Sequence, residues 1–166
     1  LFWFISYGLD GFANAAETLV GQAVGAKNLS MFDMTIRRSS FMALVFSLLF
    51  ALTYFLCGDY LLGFFTSIEA VKSEAMIYMP WLVLMPLTGI WCFQLDGIYT
   101  GTTSTGDMRN MMILSFIIYA LAIIFLPNFL GNHGLWLALH IFLIVRGISL
   151  AIPYQAMRDK TFMRAN

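Results

Sequence analysis

Three carboxylates lie inside stretches of this sequence that are otherwise apolar enough to cross a lipid bilayer. They are Asp10, Glu17 and Asp96. A carboxylate at membrane depth is costly, and it usually faces a cavity, a partner charge or an ion path. Soluble proteins keep such side chains on their wet surfaces instead. The placement therefore indicates a protein that moves something charged across a membrane.

The spacing of these acids puts them on polar helix faces. On a helix with 3.6 residues per turn, two sets of polar and small residues each share one face. The first set is Asp10, Asn14, Glu17 and Gly21. The second set is Cys92, Asp96, Thr100 and Thr103. Two such stripes on helices that run in the same direction would line one cavity, with Asn14, Thr100 and Thr103 in its wall.

The ionisable residues within these stretches, Asp96 included, also have a purely structural interpretation. Asp10 would lie in an outer loop if the first helix began near Phe12. Glu17 would serve as a hydrogen-bonding group between helices. His140 would be a packed core residue rather than a proton carrier. Arg146 would either pair with a carboxylate across the bundle or extend toward the cytoplasm, and the sequence leaves these alternatives open.

The composition supports a membrane protein. Hydrophobic residues make up 60% of the 166 residues and charged residues 11%, against roughly 45–50% and about 25% in soluble domains. The net charge is zero, so no basic surface points to a nucleic-acid partner. Cys57 and Cys92 lie in apolar segments with neither disulfide nor zinc spacing, and we expect no metal and no cofactor.

Five stretches approach the ~20 residues that a helix needs to cross the hydrocarbon core. The predicted spans cover residues 1–25, 39–57, 75–101, 110–127 and 134–154. Residues 31–38 form a short amphipathic piece that would lie along the membrane surface, and a tight turn is predicted between the last two spans. The fold class is therefore an all-α, polytopic transmembrane helix bundle. Because the chain opens inside a hydrophobic segment, we expect it to be part of a longer protein.

The basic residues predict the orientation of the bundle. Seven of the nine follow the first, third and fifth spans: Lys27, Arg37, Arg38, Arg109, Arg158, Lys160 and Arg164. Lys72 falls on the other side. The positive-inside rule makes the rich side cytoplasmic, so the C-terminus is predicted to be cytoplasmic.

Three motifs carry a resemblance to a known family. They are LDGFANAAETLVGQAVGAKN at 9–28, FQLDGIYTGTTSTGDMRNMM at 93–112, and GNHGLWLAL at 131–139 followed by Arg146-Gly147. In order, they resemble the eighth, tenth and twelfth segments of the multidrug and toxic compound extrusion (MATE) transporters, in their DinF branch. The resemblance covers essentially the whole chain.

The resemblance implies a twelve-helix protein of two six-helix lobes, of which this chain holds about five helices of the second lobe; the N-terminal lobe would be its partner. Such proteins sit in the bacterial inner membrane and exchange cationic or amphipathic compounds for protons or sodium ions. By position, Asp96 matches an acid implicated in cation coupling. Asp10 and Glu17 match acids typical of the branch and are further candidates for coupling.

Two other function classes remain to be weighed. A flippase of lipid-linked precursors would share the bundle but should show several inward-facing Arg and Lys residues, and Arg146 alone qualifies. An enzyme is disfavoured because the sequence has no metal-ligand cluster and no Gly-x-Ser-x-Gly element. The sequence therefore favours a secondary-active efflux antiporter. Its partners would be the surrounding membrane lipids and the small cationic or amphipathic molecules that it exports.

Overall fold

The computed structural model describes residues 1–163, and these residues form six helices and no strand. The helices are α1 Phe2–Gly25, α2 Leu29–Phe65, α3 Glu69–Gly101, α4 Thr105–Leu130, α5 Asn132–Ala151 and α6 Tyr154–Met163. Arg164 lies outside the described residues. The predicted all-α bundle is confirmed.

Four helices, α2 to α5, are long and apolar enough to cross a membrane. Helix α1 has 24 residues but falls outside this set, because Asp10, Glu17 and their polar neighbours dilute its apolar character. Asp10 lies within α1, about two and a half turns from the start of the helix. The structure therefore excludes the alternative in which Asp10 belongs to an outer loop. The crossing of the membrane by residues 1–25 stays a prediction.

Helix α2 is longer than the sequence suggests. Asn28 caps its first turn by accepting a hydrogen bond from the Met31 amide at 2.9 Å, as Asn does at helix N-termini. From there the helix runs 37 residues to Phe65 without a break. The prediction of a separate surface piece at residues 31–38 is therefore wrong, since these residues are the first turns of α2.

Helix α3 lies at the centre and packs against α1, α2 and α5. It continues through Pro80 and Pro86, which each remove one backbone hydrogen bond from the helix. Packing on several sides holds such a helix together. Every other long helix is thus positioned by its contact with α3 or, for α4, mainly by its contact with α5.

Two glycines bring α1 and α3 into close contact. A methyl group added at Gly97 would overlap the Ala13 carbonyl, and one at Gly101 would lie 2.6 Å from the Glu17 carbonyl oxygen. Four-residue spacing of small residues is how membrane helices let their backbones approach. These glycines therefore let α1 approach α3 closely.

The α4–α5 connection is tighter than predicted. Helix α4 continues through Pro127 to Leu130, and the turn reduces to Gly131 at φ +55°, a left-handed conformation that suits glycine. Gly134 then packs against the backbone of Leu126, where a methyl group would lie 2.5 Å from the carbonyl carbon. Helices α4 and α5 therefore form a closely packed hairpin.

Helix α6 was not predicted. Its Met157 is buried in a hydrophobic cluster with residues from α1, α2, α3 and α5. Its Arg158 makes a two-pronged ion pair with Asp33 of α2, at 2.8 and 2.5 Å, and this carboxylate raises the pKa of Arg158 above its usual range. Helix α6 thereby closes the end of the bundle that carries most of the basic residues.

Candidate functional site

An ion pair between α3 and α5 lies in the interior of the bundle. Arg146 donates from Nε to Asp96 Oδ2 at 3.0 Å and from Nη2 to Oδ1 at 2.9 Å. The side chain of Arg146 is 8% exposed and that of Asp96 is 24% exposed. Of the two alternatives for Arg146, pairing across the bundle is therefore the one that the structure adopts.

The position of this pair follows from the helix packing. Gly97 holds the backbone of α3 against α1, so its neighbour Asp96 is directed around the helix toward α5. On α5, a methyl group added at Gly147 would meet α3 at an ordinary contact distance of 3.5 Å. Helix α5 therefore packs directly against α3 beside Arg146, within reach of Asp96.

Three further side chains surround the pair. Cys92, one turn before Asp96, directs its thiol at Oδ2 from 3.8 Å. Thr100, one turn after, donates to the Asp96 backbone carbonyl at 2.8 Å. The Arg146 Nη1 atom contacts the Met112 sulfur of α4. A thioether is a weak acceptor, so one arm of the guanidinium lacks a strong partner there.

The α1 carboxylates lie on a helix that packs against α3. Asp10 is exposed and Glu17 half-buried. Within residues 1–163 the Glu17 side chain makes no hydrogen bond, which leaves its helix-bridging alternative without support. Asn14 is exposed on the same helix, and its carbonyl accepts from Thr18 at 3.0 Å.

Thr103 does not belong to the α3 stripe. Helix α3 ends at Gly101, and Thr103 follows it in an exposed turn with φ +58°. The periodicity that placed it beside Thr100 does not continue past the helix end. Thr103 instead borders a polar recess with Thr102, Ser104 and Lys160, so its predicted place in the wall of the Asp96 cavity is wrong.

His140 is held between groups of α3. Its Nδ1 lies 2.9 Å from the Thr88 hydroxyl and its Nε2 lies 3.2 Å from the Trp81 carbonyl oxygen. Because that carbonyl can only accept, Nε2 donates to it, and Nδ1 shares the second hydrogen bond with the Thr88 hydroxyl. Both ring nitrogens are thus engaged in joining α5 to α3, as the core-residue interpretation expects.

Sequence reasoning missed one buried polar contact. Gln94 is 1% exposed and donates from Nε2 to the Ser39 hydroxyl of α2 at 2.7 Å. Its amide oxygen has no partner within the described chain. A glutamine amid apolar residues was the available signal, but it carries no charge and so stood out less than Asp96.

Residues 1–163 contain no cluster of three His, Cys, Asp or Glu residues that could hold a metal ion.

The helices and the internal ion pair together define a polytopic membrane protein with charged groups in its interior. The MatE family model matches residues 1–127, which is most of the chain. The chain therefore belongs to the MatE family, an integral membrane family of transporters rather than enzymes, and the family assignment made from the sequence is confirmed.

Two individual proteins show how far the similarity extends. The chain is 41% identical over 151 residues to DNA damage-inducible protein F of Escherichia coli (strain K12), which is 91% of this chain and 33% of that protein. Its fold matches the crystal structure of the eukaryotic MATE transporter AtDTX14 with a TM-score of 0.80 at 18% identity, over 95% of this chain and 37% of the other. The chain thus spans about a third of the length of each.

Proposed function

We propose that this chain is part of a secondary-active multidrug efflux antiporter, which exports cationic or amphipathic compounds in exchange for protons or sodium ions. The Asp96–Arg146 pair is the observation that supports this most directly, because it places an acid and its counter-charge on two helices of the bundle interior. The MatE family match and the similarity to a DinF protein agree with such an activity.

The Asp96–Arg146 pair would make protonation and the binding of a cationic substrate mutually exclusive. With Asp96 ionised and bound to Arg146, the two charges cancel, and Asp10 on α1 would supply the negative charge that attracts a cation. A proton on Asp96 removes its charge and leaves Arg146 as an uncompensated cation. In a low-dielectric interior that charge repels a second cation strongly. Protonation would therefore expel a cationic substrate, and substrate binding would favour loss of the proton.

Asp10 and Glu17 have complementary parts in this proposal. Both are on α1, and Asp10 is more open to its surroundings than Asp96. We assign Asp10 and Glu17 to the attraction of cationic substrate or coupling cation, and Asp96 to the coupling step. Asn14 and Thr100 would border the same path, since they lie one turn from Asp10 and Asp96 respectively.

The flippase alternative gains no support from the site. An anionic headgroup would need free positive charge within the bundle, and Arg146 is bound through two nitrogens to Asp96.

The inner membrane and a cytoplasmic C-terminus remain part of the proposal. Cysteine labelling tests the orientation: with Cys57 and Cys92 replaced by alanine, Arg109→Cys should react with impermeant reagent from the cytoplasmic side, and reaction only from outside would contradict it.

The test of function uses the full-length protein in vesicles, with export of a fluorescent organic cation as the readout. Collapse of the proton gradient and of the sodium gradient in separate runs should identify the coupling ion. Asp96→Asn and Arg146→Gln should each abolish gradient-driven export. Asp59→Asn with Lys72→Gln, which breaks an exposed pair at the other end, is the matched control and should export normally. Export that persists in Asp96→Asn at normal protein level would refute the coupling role and direct attention to Glu17.

A further inference from the structure

Two adjacent arginines at the start of α2 are exposed and lack a charged partner. Arg37 and Arg38 make no ion pair with any residue in 1–163. They lie just before residue 39, where the predicted membrane span of α2 begins. Unpaired cations at this level are placed where the lipid headgroups lie.

The absence of a partner for Arg37 has a specific cause. Asp33 lies four residues before Arg37, the spacing at which an acid and a base pair on a helix surface. Arg158 of α6 occupies Asp33 with two hydrogen bonds instead, at 2.8 and 2.5 Å. The contact that fixes α6 to α2 therefore keeps Arg37 free.

Apolar side chains lie beside the two arginines on the membrane side. Phe41 and Met42 are one turn further along α2, at four-residue spacing from Arg37 and Arg38, and they are 60% and 55% exposed. Met34 borders the same recess, which has a volume of about 680 Å³. Cations next to exposed apolar groups match a molecule that carries a phosphate at one end and hydrocarbon at the other.

We propose that this recess, formed by Met34, Arg37, Arg38, Phe41 and Met42, binds an anionic phospholipid. The two guanidinium groups hold the headgroup phosphate, for which arginine is well suited. The acyl chains lie along Phe41 and Met42 toward the bilayer. This inference does not depend on the proposed transport activity.

Lipid binding by the full-length protein in detergent tests the site, with native mass spectrometry as the readout. Short-chain phosphatidylglycerol, phosphatidylcholine and inorganic phosphate are the three probes. Arg37→Gln with Arg38→Gln should weaken phosphatidylglycerol binding about 25-fold, at about five-fold per arginine, and leave phosphatidylcholine unchanged. Lys27→Gln with Arg109→Gln removes two exposed cations outside the recess and should have a much smaller effect. Equal losses from the two double variants would refute the site, as would full displacement of the lipid by millimolar phosphate.

The ion pair to α6 supplies a second, independent test. Arg158→Gln frees Asp33 to pair with Arg37 and should weaken phosphatidylglycerol binding about five-fold. Adding Asp33→Asn to that variant removes the competing acid and should restore the affinity. Failure of the second change to restore binding, in a protein whose helix content is normal by circular dichroism, would contradict the role of Asp33.

Discussion

The ion pairs of this molecule fall into an interior kind and a surface kind, and their surroundings differ sharply. Asp96 and Arg146 meet between α3 and α5 with little exposure, whereas Asp59 and Lys72 meet at the α2–α3 end with Asp59 60% exposed. Removing one member of a buried pair leaves an uncompensated charge, while an exposed pair contributes little. We therefore expect an acid–base pair to be an essential contact in the interior and a dispensable one at the surface.

Breaking the interior pair should have the largest effect. Asp96→Asn or Arg146→Gln alone should destabilise the protein by roughly 3–5 kcal/mol, because the remaining charge is buried without a partner. Thermal unfolding of the full-length protein in detergent measures this loss. The double variant Asp96→Asn with Arg146→Gln should recover much of the stability, since no charge remains, but should not recover export. Recovery of both would make the pair structural only.

Widening the α1–α3 contact should have the next largest effect. Gly97→Ala forces a methyl group against the Ala13 carbonyl, and overpacking of this kind costs about 1–3 kcal/mol. It should also move Asp10 away from Asp96 and raise the concentration of cation needed for half-maximal export. Gly106→Ala is the control, because nothing lies within 4 Å of the added group. Equal behaviour of the two variants would show that the close contact is unimportant.

The hydrogen bonds of His140 are an uncharged interior contact that can be compared with the charged Asp96–Arg146 pair. His140→Ala removes both hydrogen bonds to α3 and should cost about 1–3 kcal/mol in unfolding free energy. The pH dependence of export should keep its shape, because the imidazole bridges helices and transfers no proton in the proposed exchange. A shift of the pH profile in the variant, with its amount in the membrane unchanged, would give His140 a part in coupling.

The surface pair should give the smallest effect. Asp59→Asn with Lys72→Gln should leave the melting temperature nearly unchanged, because exposed pairs contribute little to stability, and any change should diminish as salt screens the exposed charges. Melting curves at low and high salt provide the measurement. A loss as large as that of the Asp96 single variants would contradict the distinction between the two kinds of pair.

The sequence predicts which charged residues lie in apolar stretches better than it predicts how those residues pair. Asp96 and Arg146 are conspicuous because charge in an apolar stretch is rare, yet their pairing depends on how α5 packs against α3, which local periodicity does not report. Thr103 was placed wrongly because a helical face was extended past Gly101, and helix ends are the least predictable boundaries.

The long helices were predictable from apolar length, but their ends were not. Residues 31–38 read as a separate piece because their arginines interrupt the apolar pattern, although Asn28 is the cap that begins α2. Helix α6 is short and polar and offers no strong pattern of its own. Its position depends on burial of Met157 and on the Arg158–Asp33 contact, which are tertiary in origin.

The uninterrupted length of α2 has a mechanical consequence. At ~1.5 Å per residue its 37 residues reach roughly 55 Å, more than the 40–45 Å of a bilayer with its headgroups. It contains no proline, whereas its neighbour α3 contains two, Pro80 and Pro86. A helix without a kink tilts as a rigid body, whereas a helix with prolines can bend. A displacement of α6, passed to α2 through Asp33, would therefore tilt the whole of α2 and move its other end near Phe65. The same displacement applied to α3 would be taken up by bending of that helix.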